Sequence, residues 1–268
     1  MRARLAQHFL VNEEVQRRIG SLSRALPGEL IFEIGCGPGN LTHWLVERPV
    51  IALEKDPKLV QRAKQRFSLN PLVSVISGDI RQIDLSYYAD RKGSLQIVGD
   101  LPYYASHQIV LKLLEQREWI ASLILVFQRE VAERLAAVPG ARETGRLTVQ
   151  WRRWFDTRID CVLAPHDFCP TPKVHSAVLW GKRRAEVLYD VPNELVFDQM
   201  VKIFFRHRRK SIRKGMKLSG IDNVKFSNDS SLDDFPWDKR PEELKDQEWR
   251  RLAVAFAAFH EETTSQED

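Results

Sequence analysis

The sequence predicts an α/β protein with a doubly wound, mostly parallel sheet, followed by a small, all-helical C-terminal domain. Over the first part of the chain, short apolar runs of strand length alternate with amphipathic segments of helical period. After about Lys182 the pattern changes, and from Asn193 onward only helical periodicity remains. Because strands that alternate with helices are typical of parallel sheets, we expect one domain over residues 1–187 and a second over residues 188–268.

Each element follows from a local signal. Short apolar runs predict seven strands, at residues 30–34, 50–53, 73–76, 95–98, 123–127, 159–163 and 176–180. The helix after the second strand has Pro57 at a favoured first-turn position. Apolar residues at helical spacing predict helices at residues 41–46, 57–67, 106–116, 129–136, 147–154, 193–216 and 241–260.

The composition narrows the class of protein. The chain has 268 residues, of which 43% are hydrophobic, so it can build a full core. The three cysteines, Cys36, Cys161 and Cys169, form no CxxC pair and predict reduced thiols rather than zinc ligands. No apolar run is long enough for a signal peptide or a membrane span, and no coiled-coil seam is present. We therefore expect a cytoplasmic monomer without membrane contact.

Four acidic residues lie at or just beyond the carboxyl ends of predicted strands: Glu33, Glu54, Asp79 and Asp100. In doubly wound sheets, ligands bind in the crevice beyond these ends. We expect the four side chains to gather at one edge of the sheet, where they would suit a polar, cationic cofactor.

A glycine-rich turn follows the first predicted strand. Gly35, Gly37 and Gly39 let the backbone turn tightly and approach a ligand, and the helix expected to follow would present N–H groups to an anionic group. A dinucleotide fingerprint would need glycine at position 40, where this chain has Asn40, and no Gly-Lys-Ser/Thr follows, so the P-loop pattern fails as well. The spacing Glu-x-Gly-x-Gly-x-Gly, which begins at Glu33, instead resembles S-adenosylmethionine-dependent methyltransferases.

Two acids further along the chain fit the same cofactor. Glu54 lies about twenty residues after the loop, where a carboxylate at a strand end can accept from both ribose hydroxyls. Asp79 lies near the end of the next strand, within reach of an adenine amine. We therefore predict a cofactor site formed by Glu33, the three loop glycines, Glu54 and Asp79, with Asp100 at its border.

The segment Asp100-Leu101-Pro102-Tyr103 predicts a clamp for the exocyclic amine of a base. Such an amine is a poor nucleophile because its lone pair is delocalised into the ring. The Asp100 carboxylate and the Leu101 carbonyl can accept from its two N–H bonds, while Pro102 fixes the backbone and adds no competing donor. Tyr103 offers a flat face for an extruded base. Together with the cofactor loop, this clamp predicts methyl transfer to an amino nitrogen.

These motifs resemble those of the small-subunit ribosomal RNA adenine dimethyltransferases, the kasugamycin-sensitivity methyltransferase family, over nearly the whole chain. Further shared motifs are Gln7-His8-Phe9-Leu10, Gly78-Asp79, Gly145-Arg146-Leu147-Thr148-Val149, Phe168-Cys169-Pro170-Thr171-Pro172-Lys173-Val174, Arg208-Arg209-Lys210-Ser211-Ile212-Arg213 and Arg240-Pro241-Glu242-Glu243-Leu244. The resemblance implies a Rossmann-like S-adenosylmethionine-dependent methyltransferase with a seven-stranded sheet. It also implies dimethylation of two adjacent adenines near the 3′ end of small-subunit ribosomal RNA, on an assembling subunit.

The resemblance implies roles for single residues as well. Gln7 and Leu10 would border the cofactor, and Phe168 would cover the target adenine on the ring face opposite Tyr103. S-adenosylhomocysteine would be the product, and no metal would be needed. This chain departs from the family at Asp100, because the family usually has asparagine at this position.

A basic segment early in the helical domain predicts contact with RNA. Positive charge is concentrated there without intervening acids, and such clusters attract phosphates through counterion release. At helical spacing one face would carry Arg206, Arg209, Lys210, Arg213 and Lys217.

Two alternatives remain at the level of the sequence. A resistance-type methyltransferase of large-subunit ribosomal RNA would share the fold and the clamp, although that group more often has isoleucine where this chain has Leu101. The second alternative is a ribosome-assembly or RNA-binding factor with weak catalysis. The feature that supports it is Asp100 in place of asparagine. The complete amine clamp favours an enzyme.

Overall fold

A computed structural model describes residues 8–221 and 232–264. It divides into two compact units, the first formed by residues 1–136 and 155–183, and the second by residues 137–154 and 184–268. The division expected from the sequence, between residues 187 and 188, differs from this one. The reason is that residues 137–154 precede the last strands of the sheet in the chain, yet Val149 belongs to the core of the C-terminal helices.

The first unit is built on a seven-stranded sheet with the order β4-β3-β2-β5-β6-β9-β7. All neighbouring pairs from β4 to β6 are parallel, whereas β9 runs antiparallel to both of its neighbours, β6 and β7. The predicted mostly parallel sheet of seven strands is therefore confirmed. The strands are β1 (Phe9–Leu10), β2 (Leu30–Ile34), β3 (Val50–Glu54), β4 (Val73–Ser77), β5 (Leu95–Asp100), β6 (Ile120–Gln128), β7 (Phe155–Leu163), β8 (Phe168–Cys169) and β9 (Ser176–Arg183).

The short strands β1 and β8, which were not predicted from the sequence, pair antiparallel with each other outside the main sheet. Two residues are too few to give a periodic signal, so only the folded chain reveals this pairing.

Helices in the described part of the chain are α1 (Glu13–Ala25), α2 (Pro57–Arg66), α3 (Ser106–Glu115), α4 (Arg129–Ala136), α5 (Arg146–Arg152), α6 (Glu194–Arg206), α7 (Ile212–Leu218) and α8 (Asp246–Thr264). Helix α2 begins at Pro57 as predicted, and Asp56 caps it by accepting from the N–H of Lys58. Helix α1 was not predicted, although Asn12 supplies a cap by accepting from the N–H groups of Glu14 and Val15. None of these helices is both long and apolar enough to cross a membrane.

Three predicted helices are wrong in extent. The one expected over residues 241–260 begins only at Asp246, after a 3₁₀ turn at Pro241–Glu243. Residues 41–46 contain only a 3₁₀ turn, Thr42–Trp44, in place of the predicted helix. The helix expected over residues 193–216 is two helices, α6 and α7, since α6 ends at Arg206 and Ser211 caps a new start.

The second unit has a core of its own among α5, α6, α7 and α8. The Phe204 ring on α6 packs edge-on against Trp249 and Phe256 on α8, with ring centroids 6.4 Å and 6.5 Å apart. Arg153 is buried beside this core, and its guanidinium donates to both carboxylate oxygens of Glu194 at 2.7 Å and 2.9 Å. This bidentate pair ties the segment after α5 to the start of α6.

A buried polar network in the first unit gives a stability prediction. Gln96 on β5 is fully buried; its Nε2 donates to Ser122 Oγ at 2.9 Å, and its Oε1 accepts from Arg48 at 2.9 Å. We expect Gln96→Leu to lower the free energy of unfolding by about 1–3 kcal/mol, because buried partners lose their hydrogen bonds. Urea unfolding followed by circular dichroism measures the change.

The matched control is Gln61→Leu on the exposed face of α2. We expect it to change the free energy of unfolding by no more than about 0.5 kcal/mol. Equal losses in the two variants would contradict the importance of the network.

Candidate active site

A cleft of about 850 Å³ opens at the carboxyl ends of β2, β3, β4 and β5. Residues lining it include Gly35 after β2, Glu54 at the end of β3, Asp79 beyond β4 and Asp100 at the end of β5. Strand β2 lies between β3 and β5, so the chain order reverses at this point of the sheet. The cleft therefore lies where doubly wound folds bind their ligands.

The glycine-rich turn has the backbone that the sequence predicts. Gly35, Gly37 and Gly39 have φ angles of 74°, 56° and 86°, a region that other residues rarely adopt. Of the three, Gly35 lines the cleft, whereas a side chain at Gly37 would meet the Phe9 ring at 2.9 Å. The predicted helix after the turn is absent, since only a 3₁₀ turn follows, so the glycine turn itself does not lead into an α-helix N-terminus.

The Glu54 carboxylate connects backbone segments that border the cleft. Its Oε2 accepts from the N–H of Gly37 at 2.9 Å, and its Oε1 accepts from the N–H groups of Lys55 and Asp56 at 2.7 Å and 2.8 Å. The carboxylate thus joins the glycine turn to the end of β3 and the start of α2. Because each oxygen has two lone pairs, it can still accept from a ligand hydroxyl.

Asp79 lies in the same cleft but is paired with cations. Its carboxylate accepts from Lys55 Nζ at 2.9 Å and from Arg81 Nε at 3.0 Å. Hydrogen bonds from Arg81 are the main cause that lowers the pKa of Asp79 below its usual range. A ligand amine would therefore share this carboxylate with two side chains that are already bound.

Asp100 is the carboxylate at the end of β5. Its Oδ2 accepts from the backbone N–H of Leu10 on β1 at 3.0 Å. Burial raises the pKa of Asp100 to about 7, while the Leu10 hydrogen bond acts in the opposite direction. The side chain therefore binds a proton more tightly than an exposed carboxyl does, and it borders the cleft.

The other residues of the predicted clamp are fixed by hydrogen bonds and packing contacts with their neighbours. Leu101 is buried and its N–H donates to the Val126 carbonyl at 3.2 Å, while Pro102 lines the cleft. The Tyr103 hydroxyl and Ser176 Oγ are 2.6 Å apart, and the His8 ring stacks on Tyr103 with centroids 5.6 Å apart. Asp100 and Pro102 therefore lie in one cleft with the glycine turn, and Tyr103 lies next to them in the chain.

Not every predicted site residue lines the cleft; Leu10, for example, is buried and does not line it. Glu33 is buried behind the glycine turn, where it accepts from Thr42 Oγ1 at 2.6 Å; burial raises its pKa to about 7, and it does not line the cleft. Phe168 is 2% exposed and packs in the core of the first unit rather than facing an open cavity. Gln7 lies outside the described residues.

Several residues that line the cleft were not predicted from the sequence. The cleft is also lined by His8 and Phe9 around β1, by Lys55 and Arg81 beside Asp79, and by Tyr104, which is 55% exposed. His8 and Phe9 belong to the Gln7–Leu10 motif, so that motif was the available signal. Tyr104 gave none, because an aromatic residue in a turn is more often a packing residue.

The five residues of the predicted basic face are all exposed, but they do not share one helix. Arg206 ends α6, Arg209 and Lys210 lie in the following turn, and Arg213 and Lys217 belong to α7. Arg213 pairs with Asp238 at 3.5 Å. The single-helix interpretation is therefore wrong, and the positive charge lies on a helix–turn–helix segment of the second unit.

The strand order and the cleft together define a class of protein. A reversed strand, β9, lies between β6 and β7 in an otherwise parallel sheet, and a glycine turn and an acidic strand end meet at the switch point. This is the Rossmann-like fold of S-adenosylmethionine-dependent methyltransferases. The cleft fits that cofactor, since its carboxylates suit a sulfonium cation and Glu54 has acceptor capacity for ribose hydroxyls.

Comparisons with known proteins narrow the class to a family. The family model described as ribosomal RNA adenine dimethylase matches residues 1–235. A ribosomal RNA small subunit methyltransferase A from Geobacter sulfurreducens is 38% identical over 220 residues, which cover 81% of this chain and 80% of that protein. The protein of the same name from Clostridium botulinum is 32% identical over 251 residues, covering 93% and 91%. The chain belongs to the ribosomal RNA adenine dimethylase family.

Solved structures share the whole fold. A dimethyladenosine transferase from Plasmodium falciparum aligns with a TM-score of 0.79 at 23% identity, covering 94% of this chain and 98% of that one. The 23S rRNA methyltransferase ErmE aligns with a TM-score of 0.72 at 24% identity, covering 93% and 99%. Because both kinds of enzyme have this fold, the fold does not distinguish between their RNA targets.

The contact between Gly37 and Phe9 gives a prediction for the glycine turn. We expect Gly37→Ala to lower the free energy of unfolding by about 1–2 kcal/mol for the left-handed backbone alone, and further because its Cβ would meet the Phe9 ring. Displacement of β1 should also weaken binding of S-adenosylmethionine, as measured by isothermal titration calorimetry.

Gly140→Ala is the matched control, because Gly140 has a φ of 87° but no atom within 4 Å of an added Cβ. It shares the backbone strain without the contact. If both variants lose the same stability and bind the cofactor equally, the contact has no role.

Proposed function

We propose that the protein transfers methyl groups from S-adenosylmethionine to N6 of two adjacent adenines near the 3′ end of small-subunit ribosomal RNA, during subunit assembly. The observation that carries this proposal is the cleft itself, which brings Asp100 and Pro102 together with Gly35 and Glu54. An amine acceptor and a cofactor turn in one cleft are what methyl transfer to an amino nitrogen requires.

The choice of RNA rests on the relatives. Those compared above are named as small-subunit enzymes, and they cover most of this chain. Among the comparisons above, the large-subunit alternative is supported only by a shared fold at 24% sequence identity. It is therefore not favoured. A catalytically weak assembly factor would not need Asp100, Pro102 and Glu54 to line one cleft.

The amine-binding part of the mechanism uses acceptors and an aromatic face. Asp100 and the Leu101 carbonyl accept from the two N–H bonds of the adenine amine, which favours a pyramidal and more nucleophilic nitrogen. Tyr103 is positioned through Ser176 and His8, and the adenine stacks beside it. Buried Phe168 pairs with Leu10 in the β1–β8 ladder and so supports β1.

The cofactor part of the mechanism depends on positioning. Gly35 and Glu54 would hold the ribose of the cofactor, and Asp79, which now accepts from Lys55 and Arg81, would accept from its adenine amine. S-adenosylmethionine supplies an activated methyl group on sulfur, which leaves S-adenosylhomocysteine after transfer and requires no metal. The residues of the cleft then have one main task, which is to hold the amine in line with the methyl group.

The second unit is proposed to bind RNA through the basic helix–turn–helix segment. Exposed Arg206, Arg209, Lys210, Arg213 and Lys217 offer five positive charges to phosphates. We also propose that the protein acts as a monomer in the cytoplasm, where ribosomal subunits assemble.

The decisive experiment incubates the protein with unmethylated small ribosomal subunits and S-adenosylmethionine, and maps the product by mass spectrometry of the RNA. We expect dimethyladenosine at two adjacent adenines near the 3′ end. Large ribosomal subunits, treated in parallel, should remain unmethylated.

The control variant is Glu54→Ala, which removes the acceptor of three N–H groups in the cofactor turn. It should bind the cofactor at least about tenfold more weakly, since a loss of 1.4 kcal/mol has this effect, while its RNA affinity stays unchanged. Methylation of the large subunit instead would establish the alternative, and absence of methylation with both ligands bound would establish the assembly factor.

Neutralising the basic segment tests the RNA contact. We expect Arg209→Gln, Lys210→Gln and Arg213→Gln together to weaken RNA binding and to reduce the slope of log affinity against log salt by about two to three, because each lost phosphate contact removes about 0.9 from it. Filter binding at several salt concentrations measures the slope.

The control protein carries Arg24→Gln, Arg62→Gln and Lys64→Gln. These substitutions neutralise three exposed cations of the first unit. It removes the same charge from a surface that is not proposed to meet RNA. An equal change of slope in both sets would show that only the total charge matters.

A further inference from the structure

The Asp79 carboxylate in the cofactor cleft is saturated with donors from the chain itself. Its Oδ1 accepts from the backbone N–H of Arg81 at 3.1 Å and from Arg81 Nε at 3.0 Å. Its Oδ2 accepts from Arg81 Nη2 at 2.5 Å and from Lys55 Nζ at 2.9 Å. A carboxylate offers about four lone-pair sites, and these donors fill them. An amine that joins them at Asp79 must therefore take the place of one donor.

The two cations around Asp79 are held to different degrees. Arg81 lies in the 3₁₀ turn that Asp79 caps, and it donates to both carboxylate oxygens. Its Nη1 donates further to Gln108 Oε1 at 2.8 Å. Lys55 directly follows β3 and contributes one hydrogen bond to Asp79 through a flexible side chain that is 52% exposed. Displacing Lys55 therefore breaks fewer bonds than displacing Arg81.

A displaced Lys55 would carry its positive charge at the rim of the cleft. Lys55 lines the same cleft as Asp100 and Pro102, which are proposed to hold the target adenine. When the base of that nucleotide enters the cleft, its backbone remains outside, so the flanking phosphates pass the rim. An exposed ammonium that has lost its carboxylate partner attracts a phosphate more strongly than a paired one does.

We propose that Lys55 exchanges partners when ligands bind. It pairs with Asp79 in the free protein and yields that carboxylate oxygen to the adenine amine of the cofactor. The released ammonium then pairs with a phosphate of the RNA. Cofactor and RNA thus bind with positive coupling, and by linkage each tightens the other by the same factor. The inference rests on the proposed function for the positions of both ligands, but the exchange at Asp79 can be tested without RNA.

The exchange has a consequence for the salt dependence of cofactor binding. In the free protein an exposed ion pair must open before the adenine amine binds, and salt weakens such pairs. Without the lysine, this cost is absent at every salt concentration. S-adenosylhomocysteine is the suitable probe, because it carries the same adenine as the methyl donor but lacks the sulfonium charge.

The experiment compares the parent protein with Lys55→Met, which keeps the length of the side chain and removes its charge. Lys58→Met is the matched control, because Lys58 is an exposed cation of the same cleft and is not a partner of Asp79 in the described part of the chain. Thermal melting first establishes that both variants fold. Isothermal titration calorimetry then measures the affinity for S-adenosylhomocysteine at about 0.05 M and about 0.5 M salt, between which the Debye length falls to about a third.

We expect Lys55→Met to bind S-adenosylhomocysteine about two- to fivefold more tightly than the parent protein at low salt, because opening an exposed ion pair costs about this factor. The difference should disappear at high salt. Lys58→Met should not bind the probe more tightly than the parent protein at either concentration.

The second measurement is the affinity for unmethylated small ribosomal subunits, with and without saturating S-adenosylhomocysteine, by filter binding at low salt. The parent protein should bind the subunits about two- to fivefold more tightly when the probe is present, since one exposed lysine gains a phosphate partner. This gain should be lost in Lys55→Met and retained in Lys58→Met.

Unchanged or weaker binding of S-adenosylhomocysteine by Lys55→Met would overturn the exchange, because the ion pair would then oppose no ligand. A gain that persists at high salt would count against it as well, since packing of the methionine would be its source. An equal coupling factor in Lys55→Met and the parent protein would refute the phosphate contact. If the parent protein binds the probe but methylates no small subunits, the proposed function fails, while the calorimetric comparison still decides the exchange.

Discussion

The direct pairing of β2 with β5 is the constraint on which the site depends. These strands are distant in the chain, yet they pair in parallel without a strand between them, and the loops at their carboxyl ends therefore meet. The backbones are so close that a Cβ on Gly99 would lie 2.6 Å from the Ile34 carbonyl oxygen. A side chain at Gly35 would begin 3.7 Å from the Asp100 carbonyl oxygen. The cofactor turn and the amine clamp are thus fixed against each other by sheet hydrogen bonds rather than by flexible loops.

Strand β1 is a third element of the site, beside the cofactor turn and the amine clamp. Its Phe9 ring lies against Gly37, and its Leu10 amide reaches Asp100, so one short strand contacts both halves of the site. The pairing of β1 with β8 holds it there, and buried Phe168 belongs to the same core as Leu10. A residue expected to touch the base therefore supports the strand that orients the acceptor. Local packing and catalytic geometry are coupled at this point.

The sheet could be predicted from the sequence because each strand carries its signal within a few residues. The acids Glu54, Asp79 and Asp100 reach the cleft for the same reason, since the end of a parallel strand fixes the edge at which a side chain emerges. The Glu33 side chain does not reach the cleft. Side chains alternate between the two faces of a strand, and on β2 this one points to Thr42. The bond from Leu10 to Asp100 joins residues 90 positions apart, and no local pattern contains that information.

The charges of the first unit explain why a cationic ligand suits the fold. Burial raises the pKa values of Glu33 and Asp100 to about 7, so both carboxyls bind protons more tightly in the folded chain than in the unfolded one. Their contribution to stability is complete below about pH 4 and is lost as the pH rises through 7. A cation bound next to Asp100 would offset that loss, because it would favour the ionised carboxylate. In the ionised state without a cation, the two carboxyl groups therefore lower the stability of the folded chain, so that binding of a cationic ligand and stability are linked through them.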